Sequence, residues 1–174
     1  MTAKDAHPPV EIDGADEHEI QRLIIEILDE NRLMSIGVNR PDGWPQVTVV
    51  NYLRQGRALY FVVARDSQKF ANISRDSRVS IAIGGGAGRE APVRGLSMAA
   101  RVSEVLEPDR IEQLNKLIWS RPAEAAFTPH PSSANVAVLE ARPQIVSVID
   151  YATPPGRRVL VRVVDEWRVE RVSP

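Results

Sequence analysis

Cysteine is absent from the chain, which excludes disulfides, thiolate nucleophiles and cysteine-held zinc or iron–sulfur centres. Histidine is scarce. His7, His18 and His130 are scattered among polar segments, and no two have the spacing that places a ligand pair on one helix face. A metal site is therefore not expected. Neither sign of charge dominates: the net charge is −1, so no overall field favours nucleic acid or an anionic membrane. No apolar run approaches the roughly 20 residues of a membrane-spanning helix. The segment Met1–Pro9 lacks the apolar core of a secretory signal. Together these absences predict a cytoplasmic protein with no nucleic-acid and no membrane partner.

What is present suits one globular domain. The chain has 174 residues, of which 43% are hydrophobic and 26% charged. Residues 1–15 are polar and contain proline, and read as a flexible N-terminal arm; residues 16–174 read as a single domain. Asp16 and Glu19 have capping-box spacing, and Ile20, Leu23, Ile24, Ile27 and Leu28 recur at helical spacing, which predicts an amphipathic helix over 16–31. Strands are expected at 33–38, 46–53 and 58–64. The connections between them, Pro41-Asp42-Gly43 and Arg54-Gln55-Gly56, are too short for crossover helices, so these strands read as an antiparallel meander.

Further β-runs are expected at 79–83, 93–106, 135–140, 144–150 and 158–164, and a second long helix opens at Pro108. Pro122, Pro129 and Pro131 mark an irregular loop over 121–134. The pattern of many short strands with few helices predicts a mainly β fold, an antiparallel barrel with flanking helices that closes on itself and removes exposed edges.

The strongest chemical signal follows the run Ala58–Ala64. Arg65 and Asp66 turn the chain, and Ser67 opens a short helix with Lys69 in its first turn. The first N–H groups of a helix lack intrahelical partners and carry the positive end of its dipole. A hydroxyl and an ammonium at that point suit a phosphate. The same residues also describe an ordinary serine cap beside a solvent-facing lysine. Gly84–Gly88 does not add a phosphate loop: Arg89 stands where a dinucleotide fingerprint needs glycine, and no Gly-Lys-Ser/Thr follows. It reads as a connection between strands. Asp29, Glu30, Asp165 and Glu166 read as solvated charges. Trp119, ending the second long helix, suits either a cofactor cover or a packing anchor.

The order of these features resembles the pyridoxamine 5′-phosphate oxidase-like family of FMN-binding split barrels. The resemblance runs from about Ile20 to Val164. It rests on Gly43-Trp-Pro-Gln-Val-Thr-Val-Val-Asn51, Leu59-Tyr-Phe-Val-Val63, Ser67-Gln-Lys69 and Ser77-Arg-Val-Ser-Ile81. It implies that Ser67, Gln68 and Lys69 meet the FMN phosphate, that Thr48, Val49, Val50 and Asn51 run along the isoalloxazine, and that Val62 and Val63 lie beneath it. It also implies a homodimer with the cofactor between two barrels. Arg94, the Trp119–Arg121 corner and the 122–134 loop are candidates for the partner's share.

The chain departs from the family pattern in places. Gln68 stands where relatives often carry arginine, the 46–53 strand has no basic residue, and Asp76-Ser77 replaces an asparagine-proline. A phosphate would depend on Lys69, the helix dipole and Arg65 or Arg94. No Arg–His pair follows Val164, so pyridoxine phosphate is not the expected substrate. The family also includes F420 and haem users. Two functions follow: an FMN-dependent oxidoreductase acting on a small molecule, with no catalytic side chain named, or a non-catalytic flavin-, F420- or haem-binding carrier or sensor.

Overall fold

The computed structural model describes residues 16–85, 93–119, 135–152 and 156–172. The expected N-terminal arm, the 121–134 loop, most of the Gly84–Gly88 connection and the side chain of Trp119 lie outside the described residues.

Helix α1 spans Glu17–Glu30. Asp16 caps it by accepting the Glu19 N–H at 2.7 Å, and Asn31 closes its last turn by donating from Nδ2 to the Ile27 carbonyl at 2.7 Å. Its apolar stripe of Ile20, Ile24, Ile27 and Leu28 is buried in the main core. Three strands follow, β1 (Leu33–Asn39), β2 (Pro45–Asn51) and the short β3 (Leu53–Gln55), and then β4 (Ala58–Ala64) and helix α2 (Gln68–Arg75). Next come β5 (Arg78–Gly84), β6 (Arg94–Glu104), helix α3 (Pro108–Trp119), β7 (Val136–Asp150), β8 (Arg157–Asp165) and β9 (Arg168–Arg171).

All the ladders are antiparallel, in the order β2-β1-β5-β6-β7-β4-β3, with β8 on β7 and β9 on β8. This is the expected mainly β split barrel with flanking helices, but it does not close on itself as expected: among the described residues, β2, β3 and β9 are left as edge strands. The barrel is split because β7 serves two partners along one side. Its first half pairs with β4 and its second half with β8, while β6 runs along the other side. Alternate residues of β1, β4, β5, β6 and β7 point inward to one large core that α1 closes. A smaller cluster of Leu53, Ala58, Tyr60, Val105, Leu114 and Val138 lies beneath α3 on the outer face.

Three sequence expectations are corrected. The run 46–53 is two strands. At Tyr52 the chain turns its side chain inward to donate to the Leu28 carbonyl at 2.7 Å, and pairing passes from β1 to β4. The expected meander is thus two separate hairpins. The runs 135–140 and 144–150 are one strand, because Pro143 sits at a register shift that spares it a ladder donor. Finally, β9 was not expected: Trp167, buried to 2% exposure, anchors the turn that returns it to β8.

Two of the carboxylates expected to be solvated are paired. Asp29 takes a forked contact from Arg54 at 2.7 and 2.8 Å, and Glu30 pairs with Arg94 at 3.2 Å. Gly84 is the end of β5 rather than part of a ligand loop. With φ at +105°, a Cβ there would stand 2.4 Å from the Arg94 carbonyl, so the β5–β6 approach requires glycine.

Candidate functional site

The strand β4 delivers the chain to α2 through a tight turn. The Ser67 N–H and hydroxyl both donate to the Ala64 carbonyl, at 3.1 and 2.6 Å. The same hydroxyl accepts the Phe70 N–H at 3.1 Å, making Ser67 the N-cap. The cap satisfies Phe70 and leaves the N–H groups of Gln68 and Lys69 without an acceptor among the described residues. Two backbone donors therefore stand at the positive end of α2.

Lys69 is half-buried, on the face of α2 that carries the buried Asn72 and Ile73. Burial lowers its pKa below the ordinary lysine value, and it has no carboxylate partner among the described residues. A partly desolvated ammonium without a carboxylate partner among the described residues, next to two N–H groups that the cap leaves free, has the chemistry that suits an anion. Its partial burial sets it apart from the fully solvent-facing lysine that the sequence also allowed.

The helix is fixed against the β1–β2 hairpin. Asn72 Nδ2 donates to Gln46 Oε1 at 3.2 Å, Arg75 donates to the Asn39 carbonyl at 3.2 Å, and Asn39 donates to Asp76 at 3.0 Å. Asp76 also accepts from Arg78 at 2.8 and 3.0 Å. That guanidinium, with the Arg78 N–H and Asn39, holds the Asp76 carboxyl well below the usual range. Sequence reading missed Gln46, Asn72 and Asn39 as the residues that set this angle. Asn72, three residues after Lys69 on an amphipathic helix, was the available signal.

Beside α2 lies β2, whose residues divide by strand alternation. Thr48 and Val50 turn toward the barrel and are half-buried, whereas Val49 and Asn51 face outward with Val47. Thr48 Oγ1 is buried and has no hydrogen-bond partner among the described residues. On β4, Val62 is half-buried on the outer face and Val63 is in the core. The structure therefore places Ser67, Gln68 and Lys69 together at the start of α2 and holds β2 beside that helix through Asn72 and Gln46, while the 48–51 run divides between two faces and Val63 lies in the core.

Two arginines are otherwise engaged. Arg65 forms an ion pair with Glu104, its guanidinium 5.6 Å from the Phe70 ring centroid. Arg94 lies at the opposite end of β6 from Glu104 and pairs with Glu26 at 3.0 Å and Glu30 at 3.2 Å. Within one chain it does not join Lys69. The outer face of β2 and its turn is apolar and exposed: Trp44 is 74%, Val47 65% and Val49 63% exposed, on an edge strand.

Comparison with known proteins agrees with this architecture. No curated protein matches the sequence. Among solved structures, the chain is similar to a pyridoxamine 5′-phosphate oxidase-related, FMN-binding protein from Nostoc punctiforme. The two share 15% identity, with 94% of this chain and 100% of that one covered, at a TM-score of 0.61. It is also similar to a heme binding protein from Mycobacterium smegmatis, at 17% identity and a TM-score of 0.66, over 87% of this chain and 60% of that one. An F420 reductase aligns at 23% identity and a TM-score of 0.56, covering 70% of this chain and 94% of that one. Likeness at these identities establishes the fold alone. The family model described as pyridoxamine 5′-phosphate oxidase, however, matches residues 20–169, from the first buried turn of α1 to β9. With that match over nearly the whole barrel, the chain belongs to the pyridoxamine 5′-phosphate oxidase family.

Proposed function

We propose that this protein binds FMN with its phosphate at the start of α2 and acts as a flavin-dependent oxidoreductase on a small organic molecule. The observation that carries the reading is Lys69: half-buried, unpaired among the described residues, and next to the free N–H groups of α2. Bound FMN supplies the redox chemistry. The chain's own residues bind and orient it: Ser67 holds the helix start, Lys69 neutralises the phosphate, and Thr48–Asn51 with Val62 form the wall beside it. No side chain is assigned to acid–base work.

A homodimer is part of the same proposal. The exposed Trp44, Val47 and Val49 give an apolar stripe on an edge strand adjoining the site, which suits an isologous contact that covers both. The substrate is not proposed to be pyridoxamine phosphate. That reaction needs a second anion site, and after Val164 the chain supplies Arg168 and Arg171 but no histidine.

The absorption spectrum of the purified protein, followed by titration with FMN and addition of NAD(P)H, tests the reading. A flavin spectrum and reduction by a nicotinamide donor or organic substrate support it. A haem or F420 spectrum would replace the cofactor, and flavin that no donor reduces would point to the carrier role.

A further inference from the structure

A second concave site lies at the other end of β4, roughly 20 Å along that strand from the start of α2. There a cleft of about 380 Å³ opens among the β3–β4 hairpin, α3, β7 and the β8–β9 turn. This volume is in the range of small-molecule sites. Its lining is strongly charged yet balanced: Arg57, Arg110 and Arg142 against Glu140, Asp165 and Glu166.

The charges are not all spent on one another. Arg142 pairs with Glu140 at 2.9 Å. Arg110 has no carboxylate among the described residues. Its Nη2 donates to the Tyr60 hydroxyl at 2.9 Å, its Nη1 donates to Gln113 Oε1 at 3.3 Å, and it lies 5.1 Å from the Tyr60 ring centroid. The Tyr60 hydroxyl donates onward to Glu140 at 3.1 Å, so the guanidinium is fixed in place. Arg57 is tied to the Val164 carbonyl at 3.3 Å.

Asp165 and Glu166 enter from the β8–β9 turn, and neither has an ion-pair partner among the described residues. That turn is held in an unfavourable conformation, with Glu166 at φ 36° and Trp167 at φ 66°, both left-handed and neither glycine. It is clamped by Trp167 Nε1 donating to the Gly56 carbonyl at 2.6 Å, which brings the Glu166 carboxylate over the β3–β4 turn. Gln55, on the same lining, keeps its Oε1 buried with no hydrogen-bond partner among the described residues.

We propose that this cleft binds a small zwitterion, a free α-amino acid or close analogue, with its carboxylate on Arg110 and its ammonium on Glu166. A lone anion would meet three carboxylates and a lone cation three guanidinium groups; a ligand carrying both charges meets neither penalty. The site is separate from that of the proposed cofactor.

Calorimetric titration of the full chain with glycine, L-glutamate, acetate and methylammonium tests this. Saturable binding of the amino acids, with acetate and methylammonium at least about tenfold weaker, is expected. Arg110→Met and Glu166→Gln should each weaken amino-acid binding at least about tenfold, the weight of one charge-assisted contact. Lys69→Met should leave it unchanged. Equal binding of acetate and glycine, no amino-acid binding up to about 10 mM, or wild-type binding by Glu166→Gln would overturn the proposal. Should Arg110→Met lose its circular dichroism signal, the isosteric Glu166→Gln on the exposed turn decides alone.

Discussion

Replacing Lys69 with methionine isolates the contribution of one charge. The stem of the side chain is half-buried on α2, and methionine preserves most of that packing, so the fold should be retained. What is lost is the ammonium. A charge-assisted hydrogen bond to a phosphate contributes about 1.5–3 kcal/mol, and about 1.4 kcal/mol is a factor of ten. FMN affinity should therefore fall about 10- to 150-fold. Riboflavin, which has no phosphate, should bind wild type and variant alike, and this control separates a lost charge from a damaged wall.

The pH dependence has a definite sign. Burial has already lowered the Lys69 pKa, so the free protein gives up this proton at lower pH than an ordinary lysine. A bound phosphate favours the charged form and raises the pKa again. Wild-type affinity for FMN should then decline as pH rises through the depressed Lys69 pKa, and the variant should lack that decline. Flavin fluorescence titration measures both. Equal FMN affinity in wild type and Lys69→Met, or equal losses for FMN and riboflavin, would show that the phosphate does not sit at α2.

Val47→Glu with Val49→Glu on the exposed edge of β2 should leave the single barrel folded but produce monomers by light scattering, because a dimer contact would bury unpaired carboxylates; a dimer that survives both changes places the interface elsewhere. Asp76, whose folded-state pKa is depressed chiefly by Arg78, contributes stability above the unfolded carboxyl pKa of about 3.9 that is lost progressively as pH falls below it toward the folded pKa. Asp76→Asn should accordingly lower Tm at neutral pH while the two proteins converge in acid, and a constant difference across the range would contradict this. Trp167→Phe removes the donor to the Gly56 carbonyl and should cost about 1–3 kcal/mol in urea unfolding.

Much of the barrel was legible because its strands are short, apolar and punctuated by turns. The helix α1 was readable to its caps, since Asp16, the 3.6-residue periodicity and Asn31 all act locally. The errors came where distant partners decide. Nothing near Tyr52 announces that the α1 carbonyl of Leu28 will draw its ring inward and divide the strand. Pro143 reads as a break until a register shift of β7 against β6 accommodates it, and β9 exists because Trp167 is buried by residues far away in sequence. The site followed the same rule. The cap at Ser67 was local and visible in the sequence; the burial of Lys69 and the pairing of Arg94 with α1 depend on tertiary packing.

The shared strand β7 also governs the order in which the molecule can be assembled. Apart from the three-residue β3, the only ladder partner of β4 among the described residues is the first half of β7. The chain must pass through α2, β5, β6 and α3 before that partner exists. Until then the strand that presents α2 has an open edge, and closing it costs the entropy of a long loop. The start of α2, where the phosphate is proposed to sit, is thus expected to become rigid late during synthesis, although its residues are made early. A chain ending before Val136 would keep Ser67 and Lys69 in sequence while leaving β4 without the strand that holds them in place.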